Sequence, residues 1–259
     1  MSLTATMTIR QIGEQLQQNP TDQFIYECVT DSRQGVRVLG VKYEKLKKAQ
    51  EEEQTRINRL LSEESRLRKE GFTLIGGIDE AGRGPLAGPV VAAVCILPKK
   101  FDLPFLNDSK QLSEGRREKL FKQIQKEAVD FAIGQAEVEE IDKINILQAT
   151  KLAMKRAVGG LKQSPDYLLI DALELADLAV PQKGLIRGDS LSASIAAASI
   201  LAKVTRDHWM NEIHALYPQY GFDRHKGYGT GSHLQALKEF GPSPIHRRSF
   251  SPVSEYLHL

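Results

Sequence analysis

Apolar positions along the chain follow two regimes that meet near Gly71. Before it the sequence is polar, carries a Glu-Glu-Glu run at 51–53, and spreads its apolar residues singly. From Val41 to Glu70, Leu46, Ala49, Ile57, Leu60, Leu61 and Leu67 recur at roughly helical spacing, which predicts a helix with a thin apolar stripe, stopped by Gly71. Residues 1–70 therefore read as an N-terminal helical extension, near neutral in charge, docked on the main domain or offering a partner site. After Gly71 the apolar residues come in blocks. Phe72–Ile78 and Val90–Leu97 predict two strands, Asp130–Val138 a third by alternation, and Tyr167–Asp171 a fourth, continuous enough to be buried on both faces. Helices are expected over 114–128, capped by Ser113 and burying Leu120, Phe121, Ile124 and Ala128, and over 141–161, with Ile144, Leu147, Leu152, Met154, Ala157 and Val158 inward. A long core helix of small residues is expected over 192–210 and a shorter one over 232–240. The pattern is α/β over 71–259, with a helical part from about 211 to 259.

Composition narrows this only a little. With 259 residues, 41% hydrophobic and 26% charged, the chain can bury one full core and a smaller appended unit. The net charge is +2, so contact with nucleic acid must come from local clusters of Lys and Arg. Cys28 and Cys95 fit no metal-ligand spacing and suit free thiols in a reducing compartment. The N-terminus lacks a signal pattern and the longest apolar run is too short for a bilayer, so a soluble, cytoplasmic monomer without membrane contact is expected.

Candidate chemistry sits at the strand ends. The first strand runs into Asp79 and Glu80, then into Ala81-Gly82-Arg83-Gly84-Pro85-Leu86-Ala87-Gly88-Pro89. Side chains alternate along a strand, so both acids cannot be core residues, and adjacent carboxylates call for solvent or a divalent cation. The glycines allow a ligand backbone to approach, and the N–H groups of Gly82, Gly84 and Gly88 are available donors. The segment formally fits a dinucleotide fingerprint, but Pro85, Pro89 and the β-branched run after them predict a strand where that motif needs a helix. A solvated surface turn is the plainer alternative. Asp171 ends the fourth strand and Asp189 follows Leu185-Ile186-Arg187-Gly188; either could meet the first two acids across a sheet or serve as a cap. Asp207, between Arg206 and His208, reads as part of a solvated face, and Asn107 to Lys110 as a polar turn. In the tail, Arg224 to Thr230 and His246 to Arg248 cluster basic groups, and Tyr228 between glycines suits stacking on a sugar or base, or packing on the domain. Four acids with no Ser-His-Asp or Cys-His set and no zinc spacing point to phosphoryl transfer assisted by Mg²⁺, which two ions about 3.5–4 Å apart would perform as a nuclease.

The motifs Gly77 to Pro85, Asn107 to Lys110, Ile170-Asp171, Arg187 to Ser190, Ala197 to Asp207 and His225 to Thr230 together resemble bacterial ribonuclease HII, of the type 2 ribonuclease H family, over about residues 71–259. The resemblance implies a ribonuclease H-like mixed sheet flanked by helices, and endonucleolytic cleavage of RNA in RNA/DNA hybrids and of ribonucleotide-containing duplex DNA, leaving 5′-phosphate and 3′-hydroxyl ends. It further implies that Asp79, Glu80, Asp171 and Asp189 bind Mg²⁺ or Mn²⁺, that Gly82, Arg83 and Gly84 sense the 2′-hydroxyl, and that Tyr228 sits at the ribonucleotide junction. Lys110, Ser190 and the basic tail are implied phosphate contacts. Arg187 stands where typical members carry lysine, and the extension before 71 is the main departure. Two other classes compete: a hybrid-binding module without catalysis, disfavoured because unneutralised acids repel phosphates, and an ATPase, for which no G-x-x-x-x-G-K-[ST] is present.

Overall fold

Thr8 and Thr21 open the first two helices of a small N-terminal unit, Met1–Arg59. Thr8 and Gln11 form a reciprocal capping box at α1 (Ile9–Leu16), and the Thr21 hydroxyl accepts the Phe24 N–H at α2 (Asp22–Thr30). The third helix is α3 (Gln34–Leu60). Ile12, Leu16, Phe24, Ile25, Cys28 and Val36 form the unit's core. The computed structural model describes residues 3–18 and 20–256. The single helix expected from Val41 to Glu70 is two, α3 and α4 (Ser62–Lys69), separated at Leu61. Leu46 is 54% exposed; Val36, Leu39 and Tyr43 supply the packed stripe instead.

The second unit, Leu60–Leu259, contains the sheet. Its strands are β1 (Ile75–Ala81), β2 (Val90–Ile96), β3 (Asp130–Ala136), β4 (Tyr167–Asp171) and β5 (Gln182–Leu185), in the order β3-β2-β1-β4-β5. β2 is antiparallel to β1 and β3, while β1 is parallel to β4 and β4 to β5. β2 shows why its sequence is apolar without interruption. Ala93, Cys95 and Leu97 enter the core under α5 (Glu114–Glu127) and the helix Ala193–Leu216, whereas Val90, Ala92 and Val94 enter the core under α6 (Val138–Gly159). Both faces are covered, so neither alternates with polar residues. With α7 denoting Ala193–Leu216, Gly77 is where helix and sheet touch: a Cβ there would lie 2.1 Å from the Ser194 carbonyl carbon.

Several boundaries differ from the sequence reading. β5 has no apolar run to announce it, because only Leu185 of its four residues is buried. α6 is interrupted at Asn145, whose backbone is left-handed (φ 66°) and whose carboxamide caps the Leu147 and Gln148 N–H groups. Leu147 consequently turns outward, 39% exposed, where the periodicity puts it inward. α4 belongs with the sheet: Leu67 packs with Ile75, Leu169, Leu185 and Ile195, Glu63 pairs with Lys183 at 3.0 Å, and Glu64 accepts the Ser192 hydroxyl (2.6 Å) and the Ser194 N–H (2.9 Å) at the start of α7. Beyond α7, α8 (Phe222–His225) and α9 (Gly231–Phe240) close over Tyr220, Phe222 and Leu237. Among the described residues no helix is long and apolar enough to cross a membrane.

Candidate active site

β1 and β4 lie side by side and parallel, with Ile78 level with Ile170. The next residue of each strand is an acid, so the pairing alone brings Asp79 beside Asp171 at the carboxyl end of the sheet. Asp79 is 5% exposed. One of its oxygens accepts the Glu80 N–H at 2.7 Å, and the Ser199 hydroxyl also supports it. Burial, then the charges of Glu80 and Asp171, push its pKa well above the carboxylate range. Glu80 points to the other side of the strand, as alternation requires, and is also raised by burial, with Arg83 opposing. The Arg83 guanidinium reaches one Glu80 oxygen at 3.3 Å; the other, Oε2, is buried with no hydrogen-bond partner among the described residues.

Asp189 arrives on a short 3₁₀ turn, Gly188–Ser190, after β5. The Gly188 N–H donates to Asp171 Oδ1 at 2.7 Å, which fixes the turn to the strand end, and the Ser190 hydroxyl closes it on the Arg187 carbonyl at 2.9 Å. Burial, Asp108 and Asp171 raise the Asp189 pKa to about 6, against Lys110. Asp108 is an acid the sequence reading passed over as turn chemistry. It does cap its turn, accepting the Lys110 N–H at 2.9 Å, and it also stands within interaction distance of Asp189. Lys110 faces the same group: burial works against its charge, but Asp108, Asp79, Asp189 and Asp171 outweigh that and hold its pKa up. Ser109 anchors the turn through a buried 2.8 Å hydrogen bond to Ser199 on α7.

The glycine loop is held from beneath by two buried arginines. Arg247 donates to the carbonyls of Gly82, Arg83 and Gly88 (2.5, 2.9 and 2.9 Å), and Arg206 to those of Ala87, Pro89 and Lys226 (2.9, 3.0 and 2.9 Å). Both are at most 1% exposed, and burial lowers their pKa to about 9 and about 10. These positions correct the sequence reading, which put Arg206 on a solvated face and Arg247 in an exposed basic tail. Asp207 is likewise half-covered and paired with Lys203 at 2.7 Å. Gly82 has φ +96°, and a Cβ there would lie 2.1 Å from Arg206 Nε. Gly88 is not an available donor, since its N–H is spent on the Ile245 carbonyl at 2.8 Å.

The loop meets the tail at Leu86, whose N–H donates to the Gly227 carbonyl at 2.8 Å. Tyr228 follows, 46% exposed, and a Cβ on Gly84 would sit 3.7 Å from its ring. Glu80, Gly82, Arg83, Gly84, Lys110 and Tyr228 thus line one cleft of about 180 Å³. No set of three Asp, Glu, His or Cys side chains among the described residues is drawn close enough to clasp an ion unaided. The donors nevertheless fit a hard divalent cation: all are carboxylate oxygens, one is buried and unpartnered, and their mutual repulsion lacks an offsetting charge beyond Lys110 and Arg83. Ser199, Asp108, Arg206 and Arg247 escape sequence reasoning because their partners are distant along the chain.

Known proteins share this sequence and fold. The family model for ribonuclease HII matches residues 76–253, and that for the ribonuclease HII N-terminal domain matches residues 8–68. A ribonuclease HII of Desulfitobacterium hafniense is 60% identical over 253 residues, covering 98% of this chain and 97% of its own. The crystal structure of ribonuclease H2 from Pyrococcus horikoshii superposes with a TM-score of 0.59 at 28% identity, covering 70% of this chain and 96% of that one. Bst-RNase HIII in complex with Mn²⁺ shares the fold at a TM-score of 0.53 and 17% identity, covering 72% of this chain and 70% of that one. The chain belongs to the ribonuclease HII family, metal-dependent nucleases of the ribonuclease H type that act on RNA/DNA hybrids.

Proposed function

We propose that this enzyme cuts 5′ of single ribonucleotides embedded in duplex DNA as well as within uniform hybrids, leaving 5′-phosphate and 3′-hydroxyl ends, with Asp79, Glu80, Asp171 and Asp189 as metal ligands. The observation that carries this reading is one cleft that Glu80 shares with the clamped loop, Lys110 and Tyr228, beside the strand pairing that brings Asp79 next to Asp171. The acids stand where Mg²⁺ or Mn²⁺ would be held; bound there, a pair of ions supplies activation of water and charge stabilisation at the leaving oxygen. The Mn²⁺ complex of Bst-RNase HIII supports the choice of ion. Lys110 and Ser190 hold the scissile strand's phosphates. Gly82, Arg83 and Gly84 read the 2′-hydroxyl, which distinguishes RNA from DNA at one position, from a loop whose carbonyls are already engaged. Tyr228 stands at the ribonucleotide-to-deoxyribonucleotide junction, stacking on a sugar or base. The enzyme works as a cytoplasmic monomer, with residues 1–70 as its helical extension and about 211–259 as the substrate-binding part.

The test is a labelled DNA duplex with one ribonucleotide, incubated with Mg²⁺ or Mn²⁺. Wild type is expected to nick 5′ of the ribonucleotide, and Asp79→Asn to lose cutting by about a thousandfold or more while still binding. Cleavage of a uniform hybrid with no nick at the single ribonucleotide would remove the junction reading and leave the hybrid activity intact.

A further inference from the structure

With Arg247 buried beneath the loop, the exposed cations of the catalytic unit lie elsewhere. On α5, Arg116, Lys119, Lys122 and Lys126 are all exposed; the three lysines fall on one stripe away from the buried Leu120 and Ile124, and Arg116 stands at its edge, one turn before Leu120. Among the described residues none of the four has an acid within ion-pair distance, while Glu118 is engaged by His208. A merely solvated helix face mixes signs; this stripe is of one sign. It is also concave at one end. A groove of about 770 Å³ runs between the start of α5 and Pro104-Phe105, with Lys119 and Lys122 on its wall. Phe105 is 50% exposed in a left-handed backbone (φ 64°), with the Arg116 guanidinium 4.3 Å over its ring.

The stripe continues from the cleft. α5 begins just after the turn bearing Lys110, and Arg117 fastens the two by donating to the Ser109 carbonyl (3.0 Å) and the Leu112 carbonyl (2.5 Å). Ten residues of helix span about 15 Å, the axial length over which one duplex strand presents about four phosphates. We propose that α5 and Phe105 form a second contact surface that tracks the phosphodiester backbone of the duplex beyond the cut, gripping it through charge and without base readout. This rests on a nucleic-acid duplex being the substrate in the cleft.

The experiment compares wild type with Lys119→Gln/Lys122→Gln/Lys126→Gln, reading kcat/KM on a labelled RNA/DNA hybrid against salt. Each lost phosphate contact lowers the log–log salt slope by about 0.9, so the triple variant is expected to lose about 2–3 of the slope and to show its defect in KM. Arginine at the same three positions should restore the slope. Hybrids trimmed end by end should erase the difference once the duplex no longer reaches α5. A charge-matched control, Lys42→Gln/Lys45→Gln/Lys48→Gln, removes exposed lysines from α3 and should leave the slope alone. A slope unchanged in the α5 variant, or lowered equally in the control, would overturn the surface. If wild type cut no hybrid at all, the cleft reading would fail first, so the two failures are separable.

Discussion

The glycine loop and the acids at the strand ends are built in opposite ways. Gly82, Arg83, Ala87, Gly88 and Pro89 have their carbonyls saturated by Arg206 and Arg247. Asp79, Glu80 and Asp189 are crowded and raised in pKa, and Glu80 keeps a buried oxygen with no hydrogen-bond donor among the described residues. The loop is complete as folded, so its shape is available for recognition before substrate arrives. The acids, by contrast, are left with repulsion that a bound cation would offset. On the proposed roles, discrimination by the loop would survive loss of metal while chemistry would not.

The largest expected effect breaks the acidic side. Asp79→Asn removes activity, as above, yet should raise the metal-free protein's unfolding midpoint in urea, because a buried charge beside two like charges is gone. A lower midpoint would mean the acids are not in conflict. Arg247→Met attacks the other side and should do the reverse: about 3 kcal/mol of stability lost to three orphaned carbonyls, read by urea unfolding, with poorer discrimination of ribonucleotide from deoxyribonucleotide. Arg247→Lys should not rescue it, since an ammonium cannot reproduce the fork. Unaltered stability in Arg247→Met would show the clamp to be idle.

The smallest effect concerns pH. Asp189 titrates at about 6 in the fold against about 3.9 unfolded, so its contribution to metal-free stability is full below pH ~4 and lost as pH rises through about 6. His233 and His246 oppose this. Burial lowers their pKa to about 4 and about 3, so their contribution is present above pH ~6.5 and lost as pH falls toward those values. Thermal midpoints between pH 4 and 7 should therefore climb more steeply with pH in Asp189→Asn than in wild type, and Mn²⁺ should steepen wild type in the same way. Parallel curves would remove Asp189 from the linkage.

Membership in a nuclease family sets aside the non-catalytic and ATPase readings. Much of that identity was legible early, because Asp79 and Asp171 close strands whose apolar runs are local signals, and because the glycines at 82, 84 and 88 mark a loop of small residues directly after the acids. Less was legible where satisfaction is long-range. Arg206 reads as a surface charge beside Asp207, and nothing near it in sequence says that two of its acceptors lie in another loop.

The sequence by itself determined the strand blocks, the acids at their ends, the small-residue helix and the family they compose. All of these are encoded by periodicity and by residues adjacent in the chain. Tertiary structure alone decided that β5 pairs despite its polar sequence, that Asp108 joins the acids, and that two tail and helix arginines lie under the loop. Hydrogen-bond partners and buried charges depend on which distant segments meet, and no local pattern records that meeting.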